Sequence, residues 1–311
     1  MSNGTKYITM CQTYGGDWSR YSLMVNWFAK FLYHKFYHRL CGNSLEYWIH
    51  GDNIERFRTG IYNFVKFNNS DTPIAELEHI LFERFSTMGY IDCMQMAMCQ
   101  PGSGPINEDD ERNAERWDIQ QAFYTRYGKM WGMKCQGTFF PNGMLGNAYF
   151  TSVAQNDKGV INISGLEEEL ERLLVPHALD NDILPALYAD DIYEGSTVIV
   201  KKNGVDDIFH IRMNAGRIDV EHEFGLIASL FKRLSVKHTW HLLALGDHVR
   251  EHLFSIFFMV NVYTCVRGNK TSVKYGLIPP TVEEYLGVSM SDAYDRNDAD
   301  DLMIDHLNTQ L

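Results

Sequence analysis

Residues Arg217–Arg233 read RIDVEHEFGLIASLFKR and form a helical pattern around which the rest of the chain is organised. Four apolar residues recur at steps of four, three and four, which is the α-helical period: Val220, Phe224, Ile227 and Phe231. Glu221, Gly225 and Ala228 share a neighbouring stripe. A carboxylate followed by two small residues predicts a helix that approaches a sheet closely and brings an acid to its edge. Taken alone, Glu221 equally fits a solvated helix glutamate.

The composition sets limits on the class of protein. With 311 residues, 45% of them hydrophobic, the chain can bury a core as one large domain or two small ones. A net charge of −12 excludes a uniformly basic, nucleic-acid-binding surface but leaves room for a local basic strip.

Cysteine usage and hydropathy bear on the cellular setting. The six cysteines include no Cys-x-x-Cys pair, which indicates reduced thiols rather than a disulfide framework or a zinc ribbon. No secretory signal opens the sequence. The apolar run Leu253–Val266 is too short to span a bilayer and favours a buried helix, so we expect no membrane association.

Two strand patterns precede the helix predicted over Arg217–Arg233. Residues Leu81–Cys93 change from a helical to a β pattern that leads into Asp92. Trp131–Phe140 and Met144–Val153 flank Pro141-Asn142-Gly143, and Asn-Gly between two apolar runs predicts a β-hairpin.

A second group of patterns lies between the hairpin and Arg217. Ser164 with Glu167 three residues later predicts a capping box. The apolar run Ile183–Ala189 predicts a buried strand that ends at Asp190-Asp191. Thr197–Val200 and Ile208–Ile211 are weaker strand patterns.

The remaining segments define the expected domains. Helical patterns cover Trp18–Leu40, Asn53–Val65 and Pro73–Phe85, and a further helix is expected over Trp240–Val266. We therefore expect a helical N-terminal region over 1–86, a catalytic domain over 87–286 and an acidic, disordered tail over 287–311.

Three acids fall at notable places in this order of elements. Asp92 follows one strand, Asp190 follows another after the hairpin and a helix, and Glu221 lies on the helix that comes next. This order predicts an α/β fold, an RNase H-like mixed sheet flanked by helices, in which the three carboxylates converge. Carboxylates suit hard divalent cations. Two such ions about 3.5–4 Å apart support phosphoryl transfer. Without metal, like-charge repulsion in the cluster should raise the pKa of at least one carboxylate.

The chain resembles the Harbinger-type DDE superfamily endonucleases (transposases) over roughly residues 82–233. Five segments carry the resemblance in the family's order: Gly89-Tyr-Ile-Asp92-Cys, Tyr124–Asn142, Asn156-Asp157, Ala189-Asp190-Asp-Ile-Tyr193 and Arg217–Gly225. The last matches the family pattern Arg-x-x-Val-Glu-x-x-Phe-Gly best. Cys93-Met94 departs from the Gly-Thr that usually follows the first acid.

The resemblance implies a metal-dependent endonuclease and strand transferase of a DNA transposon. Its catalytic and metal-binding residues would be Asp92, Asp190 and Glu221, with two Mg²⁺ or Mn²⁺ ions. It further implies transposon-end DNA as substrate, a separate DNA-binding protein or a homo-oligomer as partner, and a nuclear location. Five candidates for the local basic strip are Lys129, Lys134, Arg217, Lys232 and Arg233.

Two other functions stay open. A transposase-derived protein without catalytic activity, retained for binding DNA or protein, would fit the acidic composition. A zinc peptidase would use His248-x-x-Glu251-His252, an inverted zincin pattern, with Glu283 or Glu284 as a further ligand. Structural histidines packed on the preceding helix explain the same pattern without zinc.

Overall fold

The protein is mixed α/β, as the sequence predicts. The computed structural model describes residues 7–67, 86–101, 112–181, 184–193, 195–201, 208–231, 234 and 248–287. Its strands are β1 (Thr87–Met98), β2 (Tyr124–Thr125), β3 (Met130–Phe139), β4 (Leu145–Ser152), β5 (Ala186–Ala189) and β6 (Ile199–Lys201). Its helices are α1 (Tyr7–Tyr14), α2 (Trp18–Phe36), α3 (Leu45–Trp48), α4 (Gly51–Phe67), α5 (Arg112–Ala122), α6 (Asp157–Ser164), α7 (Leu166–Asn181), α8 (Ile208–Leu230), α9 (Val249–Arg267), α10 (Lys270–Tyr275) and α11 (Val282–Leu286).

The sheet is antiparallel on one side of β1 and parallel on the other. Its main order is β4-β3-β1-β5-β6, with the short β2 also paired to β3. β3 runs antiparallel to β1 and β4, whereas β5 runs parallel to β1 and β6 runs parallel to β5. Asp92 pairs with Gly137 of β3, and the parallel pairing of β1 with β5 ends at Tyr90↔Tyr188. Asp92 therefore lies in the middle of β1, two residues beyond the last parallel pair, and not at a strand end.

The predicted hairpin is present between β3 and β4. The Gly143 N–H donates to the Phe140 carbonyl across 2.9 Å, which closes a turn with Pro141 and Asn142 at its centre. Gly143 has a φ of 81°, a left-handed value that favours glycine. Asn269 Nδ2 donates to the Gly143 carbonyl, so the hairpin tip is bound to the start of α10.

The N-terminal helices share one hydrophobic core with the sheet. The buried cluster contains Leu32 and Phe36 of α2, Ile61 of α4, and Phe258 of α9 together with strand residues. Phe36 stacks on Phe258 with ring centroids 5.1 Å apart. The division at residue 86 therefore stays a prediction, since the described helices before it pack into the same interior. No helix in the described part of the chain has the length and apolar character needed to cross a membrane.

Helix α8 covers the face of the sheet that bears Tyr90 and Tyr188. The predicted apolar stripe is confirmed at Val220, Phe224 and Ile227, all of which are buried. The glycine that allows close approach is Gly216, because a Cβ there would lie 2.1 Å from the Tyr90 hydroxyl. The expectation that Gly225 plays this part is wrong: it is exposed, with no heavy atom within 4 Å of its Cβ position.

Two local predictions are also wrong. Residues Ile208–Ile211 belong to α8 rather than to a strand. Three apolar residues within four positions fit both periods, and no glycine or proline up to Asn214 interrupts the helix. Ser164 ends α6 instead of capping α7, and its Oγ accepts from Leu166 N while donating to the Ile161 carbonyl.

Several predicted segments cannot be compared. The helix over 73–85, the start of the helix over 240–247 and the tail beyond 287 lie outside the described residues. Within that limit, α2, α4 and α9 confirm the other helical patterns.

Candidate active site

Asp92 and Asp190 occupy equivalent places on neighbouring parallel strands. Asp92 follows Tyr90 by two residues, Asp190 follows Tyr188 by two, and those tyrosines are paired between β1 and β5. Residues two apart on a strand point to the same face. That face is the one covered by α8, because the Tyr188 hydroxyl donates to Asn214 Oδ1 across 3.3 Å. Asp190 directly follows β5, and its charge acts on Asp92. We therefore expect both carboxylates on the sheet face beneath the helix that carries Glu221.

The two aspartates also share a local hydrogen-bond pattern. Asp92 Oδ1 accepts the N–H of Cys93 across 2.8 Å, and Asp190 Oδ1 accepts the N–H of Asp191 across 2.9 Å. Each carboxylate is thus oriented by its own backbone, and each keeps its second oxygen for another partner. Asp191 is itself exposed, as the sequence assignment of Asp190 requires.

Arg217 joins the third acid to the first. Its Nη1 lies 3.2 Å from Asp92 Oδ2, and its Nη2 lies 3.3 Å from Glu221 Oε1, one helical turn further along α8. The side chains of Arg217 and Asp92 are 18% and 16% exposed, whereas that of Glu221 is 55% exposed. The arginine Nε is buried without a hydrogen-bond partner. One guanidinium therefore balances two of the three predicted catalytic acids.

The surroundings of Asp92 change the pKa of its carboxyl group. Burial raises the pKa of Asp92 above its usual value, while the Cys93 N–H and Arg217 lower it and the charges of Asp157 and Asp190 raise it. The predicted rise in pKa is confirmed in direction. Burial, rather than repulsion between acids, is its largest cause.

A fourth carboxylate, Asp157, is paired with Lys134 of β3 and is not one of the three predicted site acids. Lys134 of β3 donates to Asp157 Oδ1 and to the Gln155 carbonyl, each across 2.6 Å. The negative charge of Asp157 acts on Asp92 and on Cys93. The Cys93 Sγ lies 3.3 Å from the Tyr193 hydroxyl. Burial raises the pKa of the Cys93 thiol, so this residue is a neutral packing group. The Asn156-Asp157 match in the sequence was the available signal for Asp157.

The predicted basic strip is only partly present. Lys129 is exposed, with a left-handed φ of 47°. Lys134 is 3% exposed and paired with Asp157, so its assignment to a surface strip is wrong. Arg217 lies in the acid site, and Lys232 and Arg233 lie outside the described residues.

Glu223 points away from the acid site, as its place on the helix predicts. Its carboxylate accepts from Asn269 Nδ2 across 2.9 Å and from Thr271 Oγ1. Burial raises the pKa of Glu223 to about 7, with a smaller rise from Asp219. This acid links α8 to the start of α10.

The histidine pattern has a structural explanation. His252 is buried, and its Nε2 lies 2.8 Å from Asn26 Oδ1 on α2. Glu284 caps α11 through the Thr281 N–H. A nitrogen that already interacts with an amide oxygen is a poor zinc ligand. This contact of His252 joins α9 to α2 and not to the preceding helix.

The chemistry of the three acids favours metal binding, whereas the distances between the described side chains do not. Carboxylate oxygens at Asp92, Asp190 and Glu221 are the ligand type that Mg²⁺ and Mn²⁺ favour. Among the described residues, no three His, Cys, Asp or Glu side chains are grouped closely enough to hold an ion. The positive charge that the described structure places between Asp92 and Glu221 is that of Arg217. No known family model, curated protein or solved structure matches this chain significantly.

Proposed function

We propose that this protein is a metal-dependent DNA nuclease of the DDE transposase type, on an RNase H-like sheet. The observation that carries the proposal is that Asp92 and Asp190 each follow by two residues one of the tyrosines, Tyr90 and Tyr188, that are paired between adjacent parallel strands. Glu221 is on the helix that covers this face and is linked to Asp92 through Arg217. The strand order β4-β3-β1-β5-β6, antiparallel then parallel, supports the same fold.

In this proposal each acid has a defined role. Asp92 and Asp190 are rigid ligands, because each is oriented by the following backbone N–H. Glu221 is the adjustable ligand, since its side chain is largely exposed. Bound divalent ions would supply activation of the attacking oxygen and stabilisation of the leaving one. Arg217 then has a guanidinium free to bind a phosphate oxygen of the DNA strand.

One observation favours a second candidate, a transposase-derived DNA-binding protein without nuclease activity. Arg217 already neutralises Asp92 and Glu221, and the described residues contain no assembled metal group. A cation fixed permanently in this place would preserve the fold of the site and prevent catalysis.

Purified full-length protein tests both candidates. It would be incubated with plasmid and oligonucleotide DNA in Mg²⁺, Mn²⁺ or Ca²⁺, and nicking and binding would be measured over a salt series. We expect nicking in Mg²⁺ or Mn²⁺ and binding that weakens steeply with salt, because phosphate contacts release counterions. Salt-dependent binding without nicking would support the second candidate, a transposase-derived DNA-binding protein without nuclease activity. Absence of both would overturn the DNA substrate itself.

A further inference from the structure

Gly225 has no structural reason to be glycine. It lies inside α8, is exposed, and has an ordinary helical φ. No heavy atom lies within 4 Å of the place where its Cβ would be. Glycine is among the poorest helix formers, so an unobstructed glycine in mid-helix weakens α8 without improving its packing.

The missing side chain keeps a groove open beside Glu221. Glu221, Gly225 and Ser229 succeed one another at steps of four and form one wall, and Tyr263, Asn269 and Lys270 contribute the other. The groove has a volume of about 420 Å³, within the roughly 300–1,000 Å³ typical of small-ligand sites. Any larger side chain at 225 would project into this space.

We infer that this groove binds one nucleotide of a single DNA strand whose backbone leads to the acid site. The inference rests on the proposed function and assigns its substrate subsite. Tyr263 is 42% exposed at the groove and offers a ring for base stacking, which tolerates any base sequence. Lys270 is exposed on the same side and supplies a cation for phosphate.

The carboxylates that border the groove already have partners. Glu221 is paired with Arg217, and Glu223 is held by Asn269 and Thr271. The groove is thus less repulsive to a phosphate than its two glutamates suggest, and it begins at the acid that would bind metal.

Filling the groove tests the inference with a change that should not harm the fold. Gly225→Leu would be compared with Gly51→Leu, since Gly51 is also helical with nothing within 4 Å of its Cβ position. Binding of a short fluorescein-labelled single-stranded DNA would be followed by anisotropy in Ca²⁺. We expect Gly225→Leu to weaken binding about tenfold or more, the loss of one stacked base, with an unchanged or higher unfolding temperature. Gly51→Leu should bind normally.

A second pair of variants keeps the test independent of folding at position 225. Tyr263→Ala should weaken the same binding about tenfold, and Tyr263→Phe should restore it because the ring is retained. Normal binding by both Gly225→Leu and Tyr263→Ala would overturn the groove and leave the proposed function standing. Absence of binding by the unmodified protein at low salt would overturn both.

Discussion

Arg217 donates to the carboxylate of Asp92 across 3.2 Å, which joins two residues 125 positions apart in the chain. The same guanidinium reaches Glu221. Two of the three predicted site acids are therefore charge-balanced by the protein itself. Under the proposed function, arginine and metal compete for the same oxygens.

Arg217→Met tests this competition. We expect the variant to bind Mn²⁺ about tenfold more tightly, because 1.4 kcal/mol of competing interaction corresponds to a factor of ten. Its free energy of unfolding without metal should fall by about 1–2 kcal/mol, since Asp92 loses its counter-charge in a partly buried place. Mn²⁺ affinity would be measured by electron paramagnetic resonance of the free ion.

Arg172→Met is the matched control, because Arg172 pairs with Glu46 at 2.6 Å on an exposed surface. It should change neither quantity by more than about 0.5 kcal/mol. Weaker Mn²⁺ binding by Arg217→Met would mean that the arginine holds the acids in their binding positions, contrary to a competing role.

Asp190→Asn should abolish cleavage and leave the fold intact. The amide oxygen can still accept the Asp191 N–H, but the negative charge that attracts the metal is gone. We expect a loss of at least about a hundredfold in rate, or 2.7 kcal/mol of the several that a metal contributes. Asp191→Asn, one residue away and exposed, should cut normally. Equal rates for the two variants would remove Asp190 from the mechanism.

Glu223 should make stability depend on pH near neutrality. Its pKa is raised from 4.5 to about 7 in the folded protein, so the folded state binds more protons than the unfolded state between these values. The stabilisation is full below pH 4.5 and is lost as the pH rises through 7. The difference is at most about 3 kcal/mol, at 1.36 kcal/mol per pKa unit.

Glu223→Gln should flatten this dependence, which chemical denaturation at a series of pH values would show. Glu169 also has a pKa raised to about 7 by burial, so the unmodified protein alone overstates the part due to Glu223. The difference between the two proteins isolates it. Parallel curves from pH 5 to 8 would contradict the assignment.

His252→Ala separates the nuclease from the zinc peptidase. Loss of the bond to Asn26 and of a buried ring should lower stability by about 2 kcal/mol. Cleavage of DNA should be unchanged below the unfolding temperature, and His248→Ala should behave likewise. A Zn²⁺-dependent peptidase activity that both variants lose would replace the nuclease proposal.

Patterns that report local order predicted most of the framework. The period of Val220, Phe224 and Ile227 and the Asn142-Gly143 turn each depend on a few neighbouring residues, and both are confirmed. The order of the strand that carries Asp92 and the strand that precedes Asp190 was also predictable. That their carboxylates share a metal stays a prediction. Each of these features is encoded within one segment or in the order of segments.

Features that depend on distant partners were not predictable in the same way. Gly216 and Gly225 look alike in sequence, and only the position of Tyr90 decides which of them contacts the sheet. The sequence predicts Lys134 to be a surface cation, but it is paired with Asp157, 23 residues away in the chain. The hydrophobic periodicity of one segment does not predict which distant side chain it will contact.

The contact of α2 with α9 has a consequence for synthesis. Asn26 meets His252, 226 residues later in the chain. At about 5–20 residues per second, the ribosome delivers that partner roughly 10–45 s after α2 emerges. During this interval Leu32 and Phe36, buried in the finished protein, lack the helix that covers them. We therefore expect Leu32 and Phe36 of the nascent chain to stay exposed until α9 has been synthesised.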